Sequence, residues 1–248
     1  MNLWVTLYDT ATGKVSAILH GSIIGRMKTG ATAAMAARHL ARADAGRVGL
    51  LGSGSQARTQ LLGLARVRPI TELRVHSPTP AHRAAFAEWA EDAVPGLAAR
   101  AVDGAEAAVR GADIVVTVTN AKTPILEAGW IAPGAHLNVI GAHYPDRREI
   151  DTATLKRGRA IVDDRDQAFH EKGEILIPLA AGEIGRDRVA GTIGEVLAGK
   201  VPGRRSDDEI TMFLSGGTSL EYLGVGAMLH AKARAAGIGQ VLDYEECR

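Results

Sequence analysis

Cysteine is almost absent from this chain: the one residue is Cys247, beside the carboxyl end. A single cysteine cannot form an intramolecular disulfide and leaves no paired-cysteine zinc spacing, which fits a reducing compartment. Net charge is equally scarce, with 29 basic and 28 acidic residues giving +1. Nothing in that balance calls for nucleic acid or a polyanionic surface, although a near-neutral chain can still hold a phosphate locally. The start, Met1-Asn2-Leu3-Trp4, lacks the basic segment and long apolar run of a secretory signal. No apolar run is long enough to span a bilayer. There is no internal repeat and no low-complexity tract. These absences set the expectation of a soluble, cytoplasmic protein with no nucleic-acid and no membrane partner.

What is present is a chain of 248 residues, 46% of them hydrophobic, enough for one large domain or two small ones with cores. Val5-Thr6-Leu7-Tyr8 and Val15-Ser16-Ala17-Ile18-Leu19 flank Thr10-Ala11-Thr12-Gly13-Lys14 and read as a β-hairpin. A lone hairpin is marginal in water, so these strands need partners. The alanine-rich stretch from Lys28 to Arg42 reads as a helix starting at Thr29 or Gly30 and ending at Asp44-Ala45-Gly46. Short apolar runs then alternate with helical segments: Val48–Leu51, Leu73–His76, Ala98–Val102, Ile114–Val118, His136–Ile140, Ala160–Val162 and Ile210–Leu214. Strands buried on both faces have this pattern, and crossover helices between them imply a parallel sheet. Gly217 to Ala236 reads as a final small-residue helix.

The most informative motif is Val48-Gly49-Leu50-Leu51-Gly52-Ser53-Gly54-Ser55-Gln56-Ala57, with G-x-G-x-x-A spacing between a strand and a helix. Gly52 permits a tight turn, Gly54 lets backbone approach a diphosphate, and Ala57 lets the helix pack on the sheet. The helix amino terminus adds N–H groups and partial positive charge, with Ser55 and Gln56 in its first turn. The alternative is a glycine turn in a doubly wound fold with another phosphate ligand or none. About 20 residues on, an acid would mark a ribose 2′-hydroxyl. Here the strand ends in Val75-His76-Ser77-Pro78-Thr79-Pro80. The hydroxyls of Ser77 and Thr79, with Arg83 beyond, favour a 2′-phosphate and hence NADP over NAD. Ser-Pro-Thr-Pro is equally an ordinary helix-start sequence. Thr117 and Thr119 end the fourth strand of the sheet, where such folds present a ligand crevice.

Gly52-Ser53-Gly54-Ser55-Gln56-Ala57, Arg26-Met27-Lys28-Thr29-Gly30-Ala31, Leu137-Asn138-Val139-Ile140-Gly141 and Arg148-Glu149-Ile150 occur in that order. With Thr119-Asn120-Ala121, Pro124-Ile125-Leu126 and the segment Phe213 to Gly217, they resemble the ornithine cyclodeaminase/mu-crystallin family over nearly the whole chain. The resemblance implies an α/β fold: a Rossmann-type doubly wound parallel sheet inserted into a small, incomplete substrate and dimerisation domain. It places residues 1–43 in that domain, 44–216 in the dinucleotide-binding domain, and 217–248 in a helix returning to the first. It also implies NAD or NADP, a small amino or imino acid substrate and a homodimer. Thr29, Ile140 and Gly141 join the glycine turn as candidate cofactor contacts.

Several departures from the family qualify this. Family members carry a longer amino-terminal portion, so the chain is expected to enter partway through it. Lys28 stands where the family has an arginine that forks a substrate carboxylate; lysine keeps the charge as a point contact, the alternative being a solvated lysine at a helix start. His143 stands where cyclodeaminases carry an aspartate; it can exchange a proton near neutral pH or be only a loop histidine. Tyr222 replaces an acid after Glu221. Lys28 and His143 are thus the catalytic candidates. The expected function is an NAD(P)-dependent oxidoreductase working on a C–N bond by imine reduction or amino-acid dehydrogenation. The alternatives are an ornithine cyclodeaminase-type ammonia lyase and a non-catalytic NAD(P)-binding protein. Asp163-Asp164-Arg165-Asp166 lacks a histidine at ligand spacing and reads as a helix-capping loop rather than a metal site. Arg204-Arg205-Ser206-Asp207-Asp208-Glu209 reads as an exposed turn.

Overall fold

The computed structural model describes residues 3–242; Cys247 lies outside the described residues. Contacts divide the chain into two compact units, residues 1–28 with 218–248, and residues 29–217. The first unit opens with β1 (Trp4–Tyr8) and β2 (Val15–His20), paired antiparallel. Val5 and Leu7 are buried while Trp4, Thr6 and Tyr8 face out, the alternation expected of a one-sided hairpin. Its loop closes because the Asp9 carboxylate accepts from the backbone N–H groups of Ala11 and Thr12 at 3.1 and 2.8 Å, an Asx-type turn.

Helix α1 (Gly21–Leu40) begins seven residues before the expected start near Lys28. Gly21 opens the helix and Gly25 lies in its second turn. A glycine costs a helix only about 1 kcal/mol, and there is no room for a side chain: a Cβ on Gly25 would lie 2.8 Å from the Tyr222 hydroxyl. At the other end, Ala33, Ala36, Ala37 and Leu40 are fully buried. The Arg68 guanidinium takes the last carbonyls, donating to Arg38, Ala41 and Arg42 at 2.8, 2.9 and 2.6 Å, which satisfies acceptors a helix end leaves open.

The second unit continues with β3 (Arg47–Leu51), α2 (Ser55–Leu64), β4 (Glu72–His76), α3 (Pro80–Ala93), β5 (Ala98–Ala101), α4 (Ala105–Val109), β6 (Ile114–Thr117) and β7 (His136–Val139). It goes on through α5 (Thr152–Arg157), β8 (Arg159–Val162), α6 (Arg165–Glu171), α7 (Gly173–Ala180), β9 (Val189–Thr192), α8 (Ile193–Leu197) and β10 (Thr211–Leu214). Eight strands form one sheet in the order β5-β4-β3-β6-β7-β10-β8-β9, and every pairing is parallel. This is the expected Rossmann-type doubly wound sheet. From β3 the chain winds outward to β5, then returns to β6 on the other side, so the winding reverses between β3 and β6. β9 had no counterpart among the apolar runs: Val189-Ala190-Gly191-Thr192 is a short edge strand interrupted by glycine.

Successive strand residues feed two cores. Val48, Leu50, Ile114, Val116 and Phe213 join one face with Leu61, Leu73 and Phe86. Leu51, Val115, Leu137, Met212 and Leu214 join the other with Val109 and Leu155. Runs apolar on both sides of the pleat therefore sit in a sheet covered on both faces. At the amino-terminal edge, Arg205 to Asp208 form the expected exposed turn, and Glu209 at its end pairs with Arg159 at 2.8 Å, the side chains 9% and 8% exposed. The chain then returns to the first unit as α9 (Ser219–Ala235), whose Gly226 lies against Val5 and Leu7.

Candidate dinucleotide site

In an open α/β sheet the ligand crevice lies at the carboxyl ends of the strands, where the winding reverses. Here that point is the end of β3 and of β6, which brings Gly52 and Ser53 beside Thr117, Val118 and Thr119. Gly52 has φ +111, and a Cβ there would stand 2.5 Å from the Val118 carbonyl oxygen. Its N–H donates to the His76 carbonyl at 2.8 Å, and Val118 N–H to the Leu51 carbonyl at 2.9 Å, so the turn is stitched to β4 and β6. No side chain can occupy this position, and the chain reaches α2 through Ser53 and Gly54.

Gly54 differs. Its backbone is extended, φ −78 and ψ −178, a conformation any residue adopts, and no protein atom lies within 4 Å of an added Cβ. The space over Gly54 is open, as a diphosphate cradle requires. Gly54 caps α2 with no side-chain hydrogen bond, so the helix terminus presents backbone donors and its dipole. Ser55 is exposed in the first turn, Gln56 donates to the Thr59 hydroxyl at 3.1 Å, and Ala57 is fully buried with its N–H on the Gly54 carbonyl. These residues fit a dinucleotide.

The expected 2′ end is more committed internally. Ser53 Oγ donates to Ser77 Oγ at 2.8 Å. Arg83 donates to the Ser77 carbonyl at 2.9 Å and pairs with Asp103. Thr79 is exposed at the start of α3.

Thr117, Thr119 and Gly141 converge on a group the sequence reading quoted but gave no role. Glu149, fully buried, accepts from Thr117 Oγ1 at 2.8 Å, Thr119 N–H at 2.6 Å, Thr119 Oγ1 at 2.7 Å and Gly141 N–H at 2.7 Å. Burial raises its pKa above the usual carboxylate value; the hydrogen bonds from Thr119, Thr117 and Gly141 work against that rise. Ile140 is 1% exposed and its side chain belongs to the core. His143 lies exposed in the loop that follows. Lys172, also buried, donates to the Ala142 and Ser215 carbonyls at 2.7 and 2.5 Å. Asp164 caps α6 by accepting from Gln167 N–H at 2.9 Å. Asp163 instead gathers the Ser215 hydroxyl and the Gly216 and Gly217 N–H groups. Among the described residues no cluster of three His, Cys, Asp or Glu side chains has metal-binding geometry.

In the first unit, Lys28 is neither at a helix start nor solvated. It is 5% exposed in mid-helix, 2.5 Å from Glu221 Oε2 and 4.7 Å from the centre of the Tyr222 ring. Thr29 is half-buried one residue on, its carbonyl accepting from Gln60 at 3.4 Å. A cavity of about 580 Å³ opens at the opposite, amino-terminal edge of the sheet, lined by Arg159, Arg188, Arg205 and Glu209 among others. Arg159 and Arg205 there both pair with Glu209, and it lies away from the glycine turn.

The ornithine cyclodeaminase/mu-crystallin family matches residues 2–237. This chain belongs to that family. Within it, the chain is 36% identical over 238 residues to an alanine dehydrogenase of Archaeoglobus fulgidus, covering 96% of this chain and 72% of the relative. A structure of Thermococcus litoralis Delta(1)-pyrroline-2-carboxylate reductase in complex with NADH and L-proline superposes with a TM-score of 0.93 at 33% identity, covering 96% and 74% of the two chains. An archaeal alanine dehydrogenase dimer with bound NAD superposes at 0.92 and 34% identity, covering 97% and 73%. No helix among the described residues is long and apolar enough to cross a membrane.

Proposed function

We propose that this member of the family is an NAD(P)-dependent oxidoreductase that reduces the C=N bond of a small imino acid, or dehydrogenates the matching amino acid. The observation that carries the reading is the glycine turn at Gly52–Gly54, open over Gly54 and set where the sheet reverses its winding. Its support is the family's membership: among relatives about a third identical to this chain are an alanine dehydrogenase and a pyrroline-carboxylate reductase.

When bound, the nicotinamide supplies or takes up the hydride. The chain's share is orientation and charge. The amides of Gly54, Ser55 and Gln56 hold the diphosphate. The ends of β6 and β7, with Thr117, Thr119 and Gly141, line the crevice toward the reacting end. Lys28 holds the substrate carboxylate; Glu221 at 2.5 Å keeps its ammonium oriented and is the contact that the carboxylate shares or displaces. His143 delivers a proton to the nitrogen. A cytoplasmic location, where reduced nicotinamide is at hand, fits this reading. A homodimer is supported by the archaeal dimer and by Trp4, Tyr8 and Ile18, each more than 60% exposed on the hairpin.

The test is consumption of reduced nicotinamide by the purified chain with cyclic and acyclic 2-imino acids, against ornithine as the lyase substrate. Oxidation of NADH or NADPH coupled to amino-acid formation supports the reading. Ammonia release from ornithine with no net change in reduced cofactor identifies a lyase instead.

A further inference from the structure

Where β6 and β7 end, their backbone leaves the ladder. Val118 N–H and Ile140 N–H make the last sheet bonds, to the Leu51 and Thr117 carbonyls at 2.9 and 2.8 Å. The N–H groups of Thr119 and Gly141 come next, with no further strand carbonyl to receive them, and buried donors must be satisfied. The Glu149 carboxylate takes both, one on each oxygen: Thr119 on Oε1 at 2.6 Å and Gly141 on Oε2 at 2.7 Å. The hydroxyls of Thr119 and Thr117 complete the set, again one per oxygen. Gly141 has no space for a side chain, since a Cβ would stand 2.5 Å from Glu149 Oε1. Lys172 does the complementary work on carbonyls, holding Ala142 and Ser215. The Gly141–Ala142 segment is thus gripped at an N–H by a buried anion and at a carbonyl by a buried cation.

From this geometry we infer that Glu149 is a positioning residue: its carboxylate sets the separation and direction of the β6 and β7 ends, and so the shape of the crevice that receives the nicotinamide half of the cofactor. It touches no reacting atom and acts through Thr117, Thr119 and Gly141. The inference rests on the proposed dinucleotide reading. Both oxygens must accept. Two of the donors are backbone N–H groups, which cannot reverse, so an amide in place of the carboxylate sets its NH₂ against one of them in either orientation.

The experiment measures the NADH dissociation constant by fluorescence titration, together with Tm, for the wild-type chain, E149Q, E149A and D113N. Asp113 ties Arg42 and Arg47 at the amino-terminal edge of the sheet, away from the crevice, and serves as the control for lost stability. The expected result is a wild-type chain that binds NADH and an E149Q chain that binds about 5- to 150-fold more weakly, the effect of one unsatisfied buried N–H, with E149A weaker still. D113N should lose Tm with its dissociation constant unchanged. An E149Q chain that melts lower but binds like wild type overturns the inference while leaving the function intact. A wild-type chain that does not bind overturns the function itself. Should E149Q not fold, T117V removes one hydroxyl from Oε2 without touching charge or backbone. A rise of about two- to tenfold in its dissociation constant is expected, and an unchanged value overturns the inference.

Discussion

Replacing Gly54 by alanine separates binding from folding in a way few substitutions in this chain can. The backbone at Gly54, φ −78 and ψ −178, needs no adjustment, and no protein atom lies within 4 Å of the new methyl. Alanine is a poorer helix cap than glycine by roughly half to 1 kcal/mol, while the loss of freedom in the unfolded chain returns about 0.4–1 kcal/mol. The two nearly cancel. At roughly 2–4 °C per kcal/mol for a chain of this size, Tm should move by less than about 2 °C. Affinity should not be spared. A diphosphate oxygen accepting from the amides beside Gly54 would meet the methyl group, and each charge-assisted hydrogen bond forfeited is worth about 1.5–3 kcal/mol. One such loss raises the NADH dissociation constant about 10- to 150-fold. The assay is fluorescence titration with NADH beside a calorimetric melt of the same G54A sample. Unchanged affinity with an unchanged melt would mean that no diphosphate approaches this backbone and that the turn is no cradle.

Gly52→Ala should behave in the opposite sense, since φ +111 is closed to alanine and the Val118 carbonyl lies 2.5 Å from its Cβ; a stability loss of about 1–3 kcal/mol is expected by denaturant titration, before any ligand is added. Acid should destabilise the fold in two windows, read as Tm against pH. Burial lowers the pKa of His136 to about 3, so protonation of the unfolded chain draws stability away as pH falls below about 6.5. Burial pushes the Asp113 carboxyl up, but its hydrogen bonds from Arg47 and Gly46 and the charge of Arg47 bring it down to about 2. Its contribution, about 2 kcal/mol, is full above the unfolded value and is lost as pH falls from about 4 to 2, a loss that D113N should abolish. Asp103→Asn releases Arg83 from its exposed partner and should improve NADPH binding relative to NADH by about two- to fivefold, measured by paired titrations; no change would remove Arg83 from the 2′ end.

Much of the fold was legible because buried parallel strands advertise themselves as short apolar runs. Val48–Leu51, Ile114–Val118 and Ile210–Leu214 each lie within a residue of the observed strand limits. β9 was not legible, because an edge strand carrying Gly191 has neither the run nor the period. The start of α1 was displaced because the alanine-rich helical signal begins only after Lys28, while the turn before it carries Gly21 and Gly25; the Tyr222 hydroxyl that packs against Gly25 comes from nearly 200 residues away. The glycine turn carries its own explanation in its spacing. Glu149 does not: one acid in a polar loop has no period, and the three residues that give its four hydrogen bonds stand 8 to 32 positions upstream. Arg148-Glu149-Ile150 belongs to the family pattern, but that pattern gives Glu149 no partner. Lys28 shows the same limit, since nothing around it foretold burial against Glu221.

The most direct measurement is titration of the purified wild-type chain with NADH, following cofactor emission and protein Tm in one sample. A saturable change in emission with a rise in Tm that grows with ligand concentration is the predicted result. An emission spectrum and a melt that stay unaltered at saturating NADH and at saturating NADPH would contradict it.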